Sequence, residues 1–137
     1  MWAICALLSA LFAAATSILA KLGMAGINSN LATAIRTLVV LFMAWGMVFI
    51  TGAQAGLQSL TKRDLIFLVL SGVATGLSWL FYFYAIQIGE VSKVVPIDKL
   101  SIVFTIVLAF LILKEPVSLK TVIGGTLITA GTFVMIL

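Results

Sequence analysis

Polar residues in this chain fall in short clusters, and the stretches between them are apolar for about the width of a bilayer. Crossing roughly 30 Å of hydrocarbon takes about 20 mostly apolar residues at 1.5 Å of helical rise each. Five segments meet that requirement: Trp2 to Ala20, Leu31 to Thr51, Leu65 to Ile88, Val94 to Leu113 and Val117 to Leu137. A backbone in hydrocarbon must bond to itself, so each segment is expected to be helical. The pattern predicts an all-α integral membrane fold, a bundle of five transmembrane helices in a single domain over residues 1–137, with no internal repeat.

The clusters themselves read as helix boundaries. Asn28-Ser29-Asn30 offers caps before the second span, and Thr61-Lys62-Arg63-Asp64 is a capping-box pattern opening the third. Lys114-Glu115-Pro116 predicts a tight turn with Pro116 at a helix start, where its missing N–H costs nothing, and the fourth and fifth spans as antiparallel neighbours. The first residues, Met1 to Ile4, carry no basic side chain, so the first span is expected to be retained and not removed as a leader. Small residues at helical spacing mark the expected helix contacts: Ala6, Ala10 and Ala14; Gly72 and Gly76; Gly124 and Gly131. Such a stripe serves packing within one chain or a seam between two.

Composition points the same way. Hydrophobic residues make up 64% and charged residues 9%, with a mean hydropathy of +1.33, against about 25% charged in soluble domains. The net charge of +4 comes from eight Lys and Arg scattered singly or in pairs, which does not form the basic stripe of a nucleic-acid binder. The single Cys5 permits no intrachain disulfide. With no histidine, a Ser-His-Asp triad, an HExxH zinc site and a Cys-His dyad are excluded. A P-loop and a dinucleotide fingerprint are absent as well, so no catalytic activity, metal or cofactor is expected.

The charges inside the spans are the candidates for function. Arg36 lies six residues into the second span, and Asp98 and Lys99 lie at a similar depth in the fourth. An ionised Arg, Lys or Asp at a span centre costs about 2.5–3.5 kcal/mol on insertion scales. Because the chain alternates direction, the starts of the second and fourth spans share a membrane side, which allows Arg36 to pair with Asp98 and leaves Lys99 as a cation for water, carbonyls or an anionic solute. The cluster therefore reads as a solvated cavity, a structural ion pair or a set of snorkelling side chains. Pro96 removes one intrahelical bond and is expected to kink the fourth helix beside Asp98 and Lys99. Trp79, Tyr82, Phe83 and Tyr84 crowd the same side as an interfacial belt or as a cavity wall built on Trp79 with Phe83 or Tyr82. Lys21, ending the first span there, is an interfacial anchor or stands at a pocket mouth.

The string Tyr82-Phe83-Tyr84-Ala85-Ile86-Gln87-Ile88-Gly89, then Val94-Val95-Pro96-Ile97-Asp98-Lys99-Leu100-Ser101, then Leu113-Lys114-Glu115-Pro116 resembles the second half of an EamA-type domain of the drug/metabolite transporter superfamily. The glycines of the last span, Gly124, Gly125 and Gly131, and Arg36 early in the second are similar to that pattern too, so the resemblance covers nearly the whole chain. Most members carry two such five-helix halves of opposite orientation, and this chain is similar to the short bacterial and archaeal members with one half. The resemblance implies an antiparallel homodimer holding substrate between the halves, with access alternating between sides.

Charge bias can be set against that implication. The face bearing the N-terminus receives Lys62, Arg63, Lys114 and Lys120, and the opposite face Lys21, Arg36, Lys93 and Lys99. This four-to-four balance permits dual insertion; leaving out the embedded Arg36 and Lys99 makes it four to two and favours an inside N-terminus. The expected function is a secondary transporter of a small metabolite in the cell membrane, with Arg36 and Lys99 holding an anionic or zwitterionic group and Asp98 orienting Arg36 or taking a proton. The alternative is a non-catalytic assembly or lipid-handling subunit acting with a partner chain.

Overall fold

The computed structural model describes residues 1–137, and the chain is helical with no strand. Six α-helices follow one another: α1 (Trp2–Gly23), α2 (Ser29–Thr51), α3 (Lys62–Ile88), α4 (Val91–Asp98), α5 (Ser101–Leu108) and α6 (Leu119–Ile136). A 3-10 segment, Ala53–Ser59, leads from α2 towards α3, and a wide π turn, Ala109–Leu113, finishes α5. Five stretches are long and apolar enough to cross a membrane: α1, α2, α3, the composite Val91–Leu113 and α6. This is the all-α membrane architecture expected from the apolar pattern. Most large apolar side chains point outward, as with Phe42 and Phe81, and lipid is the medium that covers them.

The chain forms two compact units, one of residues 19–87 and one of residues 1–18 with 88–137. In the first, Ala20, Met24, Ala32, Phe83 and Ile86 make the buried apolar core. Both boundary patterns close as chemistry requires. The Asn28 side chain accepts from the Asn30 N–H at 2.9 Å, giving α2 its cap. At α3, Asp64 accepts from the Thr61 N–H at 3.1 Å while the Asp64 N–H donates back to the Thr61 hydroxyl at 3.2 Å, the reciprocal box worth about 1 kcal/mol. Gly52, at φ 73°, ends α2 in the left-handed conformation that a glycine adopts without steric cost.

In the second unit the fourth span is broken. Pro96 stands inside α4 and has no N–H to donate to Ser92, but the helix gives way only at Lys99 and Leu100. There the bonds tighten to three-residue spacing, with Leu100 N–H to Ile97 O at 3.0 Å and Ile102 N–H to Lys99 O at 3.0 Å. The disruption lies three residues beyond the proline, beside Asp98 and Lys99. α6 packs on α4 and α5, and its start corrects the turn expectation: Pro116 lies in a non-helical link, and α6 begins at Leu119 behind Ser118, whose hydroxyl accepts from the Thr121 N–H at 3.1 Å. A hydroxyl that answers an orphan N–H outweighs a proline that merely lacks one. Lys114, at φ 56°, turns the chain out of the π segment.

Candidate functional site

Arg36 is on the face of α2 that carries the buried Ser29, Ala32 and Thr33, so the helix aims it inward. Its guanidinium carbon stands 3.9 Å from the centroid of the Phe83 ring. Phe83 is only 3% exposed, and two aromatic neighbours hold it edge-on: Trp79 at 6.4 Å and Tyr82 at 5.2 Å between ring centres. The ring quadrupole attracts the cation, by about 0.5–2 kcal/mol depending on desolvation. Arg36 has no carboxylate partner, since the ion pairs of the chain join Lys93 to Glu90 and Lys99 to Asp98. A guanidinium carries five N–H donors in a planar fork, more than contact with a ring engages. Carboxylate and phosphate oxygens match that fork.

Beside these residues runs a groove of about 770 Å³ between α2 and α3, with Asn30, Thr33, Thr37, Gly72, Gly76 and Trp79 in its walls. The Thr33 and Thr37 hydroxyls bond back to the Ser29 and Thr33 carbonyls, each at 2.8 Å. Gly72 and Gly76 were expected where helices touch. Here nothing stands within 4 Å of where their Cβ atoms would be, and Gly124 and Gly131 are equally open; Gly125 instead meets Ile106 at 3.6 Å. Within this single chain the first pair lines the groove.

Lys21, in the last turn of α1, reaches the end of α3. Its Nζ donates to the carbonyls of Ile86 at 2.8 Å and Gln87 at 3.0 Å. Gln87 replies, its Nε2 donating to the carbonyl of Met24 at 3.2 Å and to that of Ile27. The structure thus engages Lys21 with helix-end carbonyls.

Asp98 and Lys99 are neighbours at the break, and the Lys99 ammonium lies 3.3 Å from the Asp98 carboxylate. Asp98 therefore pairs with the adjacent cation. Both side chains keep solvent access, 34% for Asp98 and 50% for Lys99. The one hydroxyl hydrogen of Thr132 on α6 is shared between the Ile128 carbonyl at 2.9 Å and the Pro96 carbonyl at 3.3 Å. The sequence placed Arg36 and the aromatic residues Trp79, Tyr82 and Phe83 on one membrane side, and the structure gathers them around the Phe83 ring. Sequence reasoning missed Gln87 and Thr132. The spacing of Trp79 to Phe83, one helical turn, was the available signal for the aromatic group; nothing local pointed to the other two.

The sequence pattern of the EamA-like transporter family matches residues 1–137. The chain belongs to the EamA-like transporter family. As an EamA-like protein it is a membrane transporter in the general sense, with a lipid bilayer as its surroundings. It is 44% identical over 134 residues to a Sinorhizobium protein described as an uncharacterised transporter in the cobO 3′ region, a match covering 98% of this chain and 95% of that one. A shorter match, 31% identical over 74 residues and 54% of each chain, joins it to an uncharacterised protein of Methanocaldococcus jannaschii. No solved structure matches the chain.

Proposed function

We propose that this EamA-like protein is a secondary carrier of a small anionic or zwitterionic metabolite in the cell membrane. It works by alternating access as a homodimer of oppositely inserted copies, each a five-helix half of the ten-helix carriers. The observation that supports this is Arg36, a cation inside a span that is stacked on Phe83 at 3.9 Å and has no carboxylate of its own. An embedded charge is costly without a partner, and a transient partner brought by the substrate lowers that cost. Binding then favours the substrate-loaded chain, which is what a carrier needs. Asp98, paired with Lys99, is the acid this reading assigns to coupling, and the broken fourth span beside Pro96 supplies the bend.

Two experiments test the proposal. In proteoliposomes on a solid-supported membrane, a panel of organic acids, amino acids and organic cations should give transport currents for anionic or zwitterionic members, lost in Arg36→Gln. Currents carried only by cations, or unchanged in that variant, would overturn the substrate class. Topology reporters of both kinds fused after Leu137 should both give signal in bacterial cells; signal from one alone removes the inverted homodimer. The open glycine faces at Gly72, Gly76, Gly124 and Gly131 favour a second reading, a subunit that works against a different membrane chain, and a stoichiometric partner in purified material would support it.

A further inference from the structure

The last carbonyls of any helix have no N–H partner from their own helix. At the end of α3 two of these, on Ile86 and Gln87, are taken by the Lys21 ammonium at 2.8 and 3.0 Å. This is also the negative end of the α3 dipole, where a cation is favoured. In the other direction the Gln87 amide holds the carbonyls of Met24 and Ile27, fixing the turn that leaves α1. The two links are reciprocal and span more than 60 positions of sequence. Ile86 itself is fully buried at 0% exposed, so this end of α3 is anchored by packing as well as by polar bonds.

Phe83 lies one helical turn before the two carbonyls that Lys21 grips. Its ring height and rotation follow those of the α3 end, and Arg36 follows the ring. We infer that Lys21 and Gln87 are positioning residues for Arg36: their crossed caps hold the end of α3 so that Phe83 stands beneath the guanidinium. Neither touches the substrate in this assignment, and Lys21 leaves the set of candidate contacts. The importance of the pair for transport rests on Arg36 being the substrate contact, but the placement itself is measured without transport.

The chain has two arginines, Arg36 and Arg63, so Arg63→Lys leaves Arg36 as the single target of phenylglyoxal. The full chain in lipid nanodiscs is labelled and followed by intact mass. Lys21→Met should label several-fold faster than the parent, Gln87→Leu faster by a smaller factor, and Lys21→Arg, which retains donors for both carbonyls, at close to the parent rate once the added arginine is counted as a separate mass step. Thr132→Val, which removes a hydrogen bond in the other unit, should leave the rate unchanged. If Lys21→Met gives no monodisperse protein, Gln87→Leu carries the test alone. Parent rates in Lys21→Met and Gln87→Leu, or an equal rise in Thr132→Val, would overturn the inference. A failure of the transport currents with labelling as expected would sink only the substrate-contact reading.

Discussion

Two regions of this chain meet the same problem, a charge inside a membrane, and solve it differently. Around α2 and α3 no acid is used: Arg36 rests on a ring and Lys21 on helix-end carbonyls. Along the fourth span Asp98 and Lys99 answer each other across 3.3 Å, where the backbone tightens after Pro96. A cation on a π-face keeps its donors and its unit charge. A neutralised neighbour pair presents a dipole and leaves little net charge for a solute. The first arrangement is the one proposed above to hold an anion, and the second sits where the fourth span breaks.

The contrast breaks first at Arg36. Arg36→Gln should reduce uptake of the anionic or zwitterionic solute found in the current assay at least tenfold, about 1.4 kcal/mol or more, with Arg36→Lys intermediate because an ammonium lacks the planar fork. Phe83→Leu keeps the cation but removes the π-face. A loss of roughly 0.5–2 kcal/mol corresponds to a rise of about two- to thirtyfold in the half-saturating concentration, read from the same currents. On the other side, Pro96→Ala restores an N–H opposite Ser92. Hydrogen exchange at Leu100 and Ile102 should slow severalfold as four-residue bonds replace the tightened ones, and unchanged exchange would mean that the break does not depend on the proline. The smallest effect belongs to Thr132→Val. Losing the hydroxyl shared between the Ile128 and Pro96 carbonyls should cost about 0.5 kcal/mol, seen as a fall of a degree or two in melting temperature in detergent.

The membrane architecture was readable from the sequence because its cause is one-dimensional: hydrocarbon thickness sets a length of apolar chain, and five stretches have it. The caps at Asn28 and Thr61 were readable for a similar reason, since donor and acceptor lie within three residues. Ser118 was overlooked because Pro116 two residues earlier is also a common helix opener, and only the Thr121 bond decides between them. The charged residues show the limit. That Arg36 is out of place can be seen from its position alone, but its support is a ring 47 positions away, and no spacing rule connects the two. Lys21 and Gln87 look like ordinary boundary residues until folding brings helix-end carbonyls within their reach.

The long reach of Lys21 bears on how the chain is made. Its acceptors on Ile86 and Gln87 are 65 and 66 residues downstream, so they do not exist when α1 and α2 first leave the ribosome. Until the third helix is complete this bond cannot form, and synthesis passes through an interval in which the first hairpin lacks it. Closure of the crossed caps ends that interval. A nascent chain halted shortly before residue 86 and one halted well beyond it should therefore differ in how firmly their first helices are committed to one side of the bilayer.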